Sequence, residues 1–311
     1  MNRTTVDPQR ESRPDSSTAI VEPLTIFAMP KAFRGHVGMI QRNAIESWTR
    51  IVPRPEVILF GDDSGVAEIA AELGLKHVPE VLRNENGTPL IDDMFREAHR
   101  LASNQVMAYV NSDIVLFDDL MKAVSRIEQD GIERFLLVGR RIDTEVEAID
   151  FEREDWREKL RELAAKTGSL APRVCKDYFV FRKPLYARIP PFAIGRAAFD
   201  NWFVFHAREE KAHVIDATQV VTAVHQNHDY GHVPGGRGQA YIKGKEAARN
   251  IELAGGMRLI RGSTTDWIMT SKQVRRRRIP SDLVQFAADL PRFLRLVLEL
   301  YGFIKPKRRP T

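Results

Sequence analysis

Val106-Met107-Ala108-Tyr109-Val110-Asn111-Ser112-Asp113-Ile114-Val115-Leu116-Phe117 is an apolar run broken once, by the polar triplet at 111–113. Its first five residues read as a buried strand, short, apolar and continuous. The break admits two readings. Asn, Ser and Asp all favour turns, so it serves as a corner between two strands. It also falls at the carboxyl end of a central strand, where open α/β sheets bind ligands. A carboxylate buried there needs a partner, and a divalent cation held by oxygen ligands is one answer.

Working outward, the preceding residues alternate strand and helix. Leu24–Met29 is an apolar strand stopped by Pro30, and Ile40, Ala44, Ile45 and Trp48 then recur at helical spacing. Glu56–Phe60 is a second strand, closed by Gly61-Asp62-Asp63-Ser64, with Ser64 expected to cap a helix that ends at Gly74. A short strand over Lys76–Val81 follows, and Thr88-Pro89 predicts a helix start with proline in the first turn. Leu90, Met94, Ala98 and Leu101 share one face of that helix. This rhythm predicts βα units, a mostly parallel central sheet and a Rossmann-like, doubly wound α/β fold.

The second half is less regular. Strands are expected at Phe135–Gly139, at Tyr178–Phe181 and within Val214–Val224, and helices at Asp150–Lys166 and Phe199–Arg208. Gly231–Gly238 reads as a flexible loop.

Composition narrows the classes. With 43% apolar and 29% charged residues over 311 positions, wholesale disorder, collagen-like repeats and a coiled-coil rod are excluded. Cys175 is the single cysteine, which rules out an internal disulfide and any cysteine-rich metal site. No apolar run reaches the roughly 18 residues of a membrane span, and the polar start lacks a signal-peptide core. A cytoplasmic location is the resulting expectation. The net charge of +5 divides unevenly: 11 Lys/Arg and 3 Asp/Glu from Lys272 onward give +8 there and −3 elsewhere. Nucleic acid is therefore not an expected partner.

Three regions are expected: a disordered tail at 1–20, a main domain at 21–256, and a basic C-terminal segment at 257–311. In that last segment Arg275–Arg278 precedes a helical pattern from Leu283 to Tyr301. Such a helix either docks on the body or lies peripherally on an anionic membrane surface, at its inner face.

Several residues remain open between structure and chemistry. Pro30-Lys31-Ala32-Phe33-Arg34-Gly35 offers cations and N–H groups to phosphates, or is a solvated basic loop. Asp62 and Asp63 are hydrogen-bond acceptors for a base or ribose, or helix caps. Asp200 lies among apolar residues where its pKa can rise, or caps the helix carrying Trp202. His225 and His228, at i and i+3, can bring one imidazole to a metal or pyrophosphate, or are structural.

Taken in order, Thr25–Pro30, Phe60-Gly61-Asp62-Asp63, Gly87-Thr88-Pro89, Asn111-Ser112-Asp113, Phe199-Asp200-Asn201-Trp202 and Val224–Tyr230 resemble the motifs of GT-A-fold glycosyltransferases of family-2 type, over residues 22–256. The resemblance implies a nucleotide-diphospho-sugar donor, a hydroxyl acceptor and a divalent cation, Mn²⁺ or Mg²⁺. It implies donor contacts from Pro30, Lys31, Asp62, Asp63, Arg83, Thr88 and Asn111, with Asp113 and His225 toward the metal. It implies Asp200 as the acceptor-side base, with Trp202 beside the sugar. Asn111 stands where the family has the first acid of its DxD motif, leaving Asp113 the one full charge in the triplet. The alternatives are nucleotidyl transfer on a related fold, which lacks its Gly-rich basic loop here, and a non-catalytic nucleotide-sugar-binding protein, which Asn111 favours.

Overall fold

The computed structural model describes residues 22–173, 175–228, 244–256 and 264–277. The expected N-terminal tail, the glycine loop at 231–238 and the helical pattern from Leu283 to Tyr301 lie outside those residues.

The first half follows the alternation expected of it: β1 (Leu24–Ala28), α1 (Gly35–Thr49), β2 (Glu56–Phe60), α2 (Val66–Leu73), β3 (Lys76–Val78), α3 (Ile91–Leu101) and β4 (Val106–Val110). After the polar triplet come β5 (Ile114–Leu116), α4 (Asp119–Gln129), β6 (Phe135–Val138), β7 (Ile142–Thr144), α5 (Trp156–Thr167) and β8 (Ser169–Leu170). The rest is β9 (Tyr178–Arg182), α6 (Phe199–Glu209), β10 (His213–Asp216), β11 (Ala223–Gln226), α7 (Lys245–Leu253), β12 (Trp267–Met269) and β13 (Val274–Arg276).

Nine strands form one sheet in the order β13-β12-β10-β6-β9-β4-β1-β2-β3. It is mostly parallel, with β9 antiparallel to both its neighbours and β13 antiparallel to β12. Strands β12 and β13 come from the segment expected to begin a separate tail at 257, so the main sheet extends past that boundary. A second sheet, β5-β11-β7-β8, stands beside the carboxyl edge of the first.

Side-chain alternation in β1 explains the layering. Leu24, Ile26 and Ala28 face a core built with Ala44, Ile45 and Trp48 of α1, Ile69 of α2 and Leu120 and Val124 of α4. Phe27 points the other way, into a core with α3 and α6. There its ring meets Phe60, Phe95, Tyr109 and Phe181 at centroid distances of 4.9–6.4 Å. Phe27→Ala is expected to cost about 3–5 kcal/mol, read as a lowered urea midpoint at unchanged slope.

Three local expectations are corrected. Ser64 does not cap α2: its carbonyl accepts the Phe33 N–H at 2.8 Å, and Gly65, at φ +90°, takes the cap position. Thr88-Pro89 does not open α3, which begins at Ile91; Pro89 instead bridges Arg83 in extended pairing. The α5 helix begins at Trp156, because 150–155 turn back through Asp150, whose carboxylate accepts the Glu152 N–H. No helix among the described residues is long and apolar enough to cross a membrane.

Candidate functional site

Because β2, β1 and β4 run parallel as neighbours, the loops after all three open on one sheet edge. That edge carries Pro30-Lys31, Asp62-Asp63 and Asn111-Ser112-Asp113. Asp62 and Asp63 follow β2, two strands from Asp113, a span of about 10 Å.

Helix α1 fixes this edge. The Trp48 indole donates to the Ile114 carbonyl at 2.9 Å, and Ser47 accepts the Leu116 N–H at 3.2 Å. Gln226 donates to the Ile40 carbonyl at 2.7 Å and accepts from Asn43 at 2.8 Å. One helix thereby holds both β5 and β11, whose antiparallel register sets His225 opposite Ile114, beside Asp113. Gln41 of α1 clamps the first loop, accepting the Lys31 N–H at 2.7 Å and donating to the Lys31 carbonyl at 2.9 Å.

Asp113 is the focus. Its Oδ2 lies 3.0 Å from His228 Nε2 and 3.6 Å from His225 Nε2, while its Oδ1 is buried without a hydrogen bond. Burial alone would raise this carboxyl, but the two imidazoles outweigh burial and hold it well below the usual carboxylate range. Ligand atoms of Asp113, His225 and His228 lie within 4.8 Å of one another. His225 Nδ1 lies 3.0 Å from Asp143 Oδ1, a charge contact that falls outside hydrogen-bond geometry. An orphaned buried carboxylate oxygen beside two convergent imidazoles fits a divalent cation. His225 is thus joined by His228 in the one cluster.

The charges behind this triad were not legible from residue order alone. Arg141 pairs with Asp143 at 2.8 Å and with Asp177 at 2.7 Å. Asp177 in turn accepts from the Asn111 side chain at 2.8 Å, and its carbonyl accepts the Asn111 N–H at 2.9 Å. An acid therefore does stand beside position 111, delivered by the start of β9. Burial raises the Asp177 carboxyl and Arg141 opposes it.

Asp200 is the second residue of α6, not its cap; Ala198, at φ +91°, holds that position. The Asp200 carboxylate accepts the N–H of its neighbour Asn201 at 2.8 Å and is half-buried. Desolvation pushes its pKa up to about 6, opposed by that N–H and by Lys176, and assisted by Asp177. The buried Tyr109 hydroxyl, pushed up mainly by burial, also feels Asp177, Asp113 and Asp200. The three acids thus act on one hydroxyl, that of Tyr109 in β4. Trp202 lies flat against His206, with centroids 4.5 Å apart and planes 8° apart, so one of its faces is already covered.

The remaining candidates lie around the first loop. Burial depresses the Lys31 ammonium, Asp113 acts to raise it and Arg196 to lower it. Asp62 pairs with Arg83 at 2.5 Å on an exposed surface. Asp63 is exposed, and its carbonyl accepts the first N–H of α2 at 3.1 Å. Thr88 accepts no capping role: its N–H donates to Asn84 Oδ1 at 3.0 Å and its hydroxyl bonds Glu246. Glu246 also receives Asn84 and Arg196, at 2.7 Å each, so this corner is tied to α7. A surface hollow between Phe205, Arg208 and Asp266 lies at the far end of α6 from Asp200.

No family model matches the chain. No curated protein matches it either. Among solved structures it is similar to a mannosyltransferase from Pyrobaculum calidifontis in complex with GDP-Man and Mn²⁺, at 13% identity and TM-score 0.44, over 92% of this chain and 81% of that one. It is similar to glucosyl-3-phosphoglycerate synthase from Mycobacterium tuberculosis, in complex with Mn²⁺, UDP and glucosyl-3-phosphoglycerate, at 13% identity and TM-score 0.41, over 75% and 78% of the two chains. A third likeness is to S. aureus TarS, at 12% identity and TM-score 0.43, over 66% of this chain and 37% of that one. Across the TarS structures, one of them in complex with UDP-GlcNAc, this chain spans between 35% and 58% of the matched protein.

Proposed function

We propose that this chain is a glycosyltransferase that moves a sugar from a nucleoside-diphosphate donor to a hydroxyl acceptor. The observation that carries the reading is the cluster of Asp113 with the two imidazoles of His225 and His228 at the carboxyl end of β4 in a mostly parallel sheet; Asp200, with its raised pKa, acts electrostatically on the same Tyr109 hydroxyl as Asp113. The motif order along the chain supports it independently.

In this reading the acceptor hydroxyl attacks the anomeric carbon as the carbon–oxygen bond to the diphosphate breaks, and Asp200 takes the hydroxyl proton. Asp113, His225 and His228 hold a divalent cation, whose charge offsets that of the departing diphosphate. Two imidazoles in the set favour Mn²⁺ over Mg²⁺, which prefers oxygen ligands. The Lys31 side chain is the cation of this loop toward the phosphates, since the N–H groups of Lys31, Phe33 and Arg34 are taken by Gln41, Ser64 and Ala32. Asp62, Asp63 and Arg83 bind base or ribose, with Thr88 holding their loop and Asn111 orienting the Asp113 turn. Trp202, half-buried, stands beside the sugar.

A panel of nucleotide sugars tested by thermal unfolding, with and without Mn²⁺, checks the reading. One base class is expected to raise the melting temperature, more so with Mn²⁺; a ligand at 100 times its Kd adds about 2.7 kcal/mol. No shift with any member of the panel would refute it. Asn111 also favours a second reading, a binding protein that does not turn over. The same donor, bound but never consumed in the presence of a broad acceptor mixture, would identify that case.

A further inference from the structure

Behind the cation cluster, a ring of contacts joins the two sheets. Asn111 and Asp177 stand side by side where β4 ends and the antiparallel β9 begins, so both belong to the main sheet. Asp143 of β7 and His225 of β11 are partners in the parallel register of the second sheet. Arg141, just ahead of β7, spans the gap: its Nε donates to Asp143 at 2.8 Å and its Nη1 to Asp177 at 2.7 Å. Asp177 Oδ1 also accepts the Asn111 amide at 2.8 Å, and Asp143 Oδ1 lies 3.0 Å from His225 Nδ1. From His225 the ring returns to Asp113, 3.6 Å away and two residues along from Asn111.

This is not a solvated charge network. The side chains of Arg141 and Asp177 are 16% and 9% exposed. Oδ2 of Asp177, like Oδ1 of Asp113, is buried without a hydrogen bond. Charge held in such a place is poorly screened, so each member of the ring acts on the others. Three carboxylates, those of Asp113, Asp143 and Asp177, stand against the one guanidinium of Arg141. With the imidazoles neutral, as metal ligands must be, two negative charges are left over, which one divalent cation offsets. Without Asp177 only one is left. Asp177 lies outside the three residues whose ligand atoms come within 4.8 Å of one another, so its part is exerted through Arg141 and Asn111.

We propose that Asp177 is a positioning residue of the cation site. Through Arg141 it sets the charge beside Asp143 and His225, and through Asn111 it holds the turn that carries Asp113. The inference rests on the cation site of the glycosyl-transfer reading and deepens it, by giving that site a second acid from the start of β9. The amide at 111 and the carboxylate at 177 then form one unit, whose negative charge can sit at either position.

The test is titration of Mn²⁺ into the full chain, read by electron paramagnetic resonance with no nucleotide or acceptor present. Asp177→Asn is expected to weaken Mn²⁺ binding at least about tenfold, because a unit charge removed from a poorly screened cluster is felt doubly by a dication. Exchanging the pair, Asn111→Asp together with Asp177→Asn, returns the charge and keeps an amide facing a carboxylate. The exchange should recover Mn²⁺ affinity to within about threefold of wild type, a coupling that a double-mutant cycle reads directly. Asp143→Asn removes another acid of the ring and should also weaken Mn²⁺ about tenfold. Its side chain is 27% exposed, so this variant keeps the test valid if Asp177→Asn misfolds. Wild-type Mn²⁺ affinity in folded Asp177→Asn or folded Asp143→Asn overturns the proposal, as does an exchange that binds no better than Asp177→Asn. Absence of Mn²⁺ binding in wild type overturns it too, whereas a thermal shift with a nucleotide sugar in metal-free buffer would leave the donor reading standing.

Discussion

Asp113→Ala is expected to abolish Mn²⁺ binding and to lower turnover by about 10²–10³-fold, the scale of losing one preorganised charge contact at a leaving group. The chain should still fold. Its side chain contacts the two imidazoles, whereas the link to β11 that the fold uses is the Asp113 carbonyl, which accepts from the Gln226 side chain at 3.2 Å, and alanine keeps that carbonyl. The variant also removes a buried carboxylate oxygen that has no hydrogen bond of its own. Electron paramagnetic resonance of Mn²⁺ titrated into wild type and variant reads the site directly, without a substrate. Retained Mn²⁺ binding, or full metal-dependent activity, would remove Asp113 from the cation site.

Asp200→Asn should lower turnover by about 10²-fold or more while donor binding survives, because the amide cannot accept the acceptor's proton. The pH dependence separates a base from a bystander. The base must be ionised, so wild-type turnover should fall as pH drops through about 6, the raised value of this carboxyl, and the Asn variant should lack that limb. Stability moves the opposite way. An acid whose folded pKa lies above its unfolded value penalises folding when charged, above about pH 6, and the penalty fades as pH falls toward 4. Asp200→Asn should therefore be more stable than wild type at pH 8, by about 1–3 kcal/mol, with the gap closing in acid. A variant that turns over at the wild-type rate would leave Asp200 as a half-buried acid in the first turn of α6.

What the sequence made legible follows from which interactions are local. Continuous apolar runs at Leu24, Glu56 and Val106 become β1, β2 and β4 because each strand is buried on both faces. Parallel neighbours then place Lys31, Asp62 and Asp113 on one edge without further information. Helix starts were less legible. The cap residues Gly65 and Ala198 act through positive φ, where a polar side chain such as Ser64 or Asp200 suggests itself from sequence.

The charges behind Asn111 were invisible for a topological reason. Cys175-Lys176-Asp177 stands before a strand, and in an all-parallel sheet that would put it on the edge away from the site. The reversal of β9 moves it to the working edge, where Asp177 meets Asn111. Nothing local to 175–182 encodes direction. The carboxylate missing from the triplet is thus supplied by a residue 66 positions away.

That reversed strand also constrains how the chain can be made. During synthesis β4 and β6 emerge well before β9, yet the two strands touch only through it. Until Tyr178–Arg182 is inserted, β1 to β4 form a small sheet with one open flank, and β6 has no neighbour at all. Open strand flanks invite pairing with other chains. Ending the chain anywhere ahead of Tyr178 therefore costs more than the site: it leaves β1 to β4 with an open flank and β6 unpaired, both prone to aggregate.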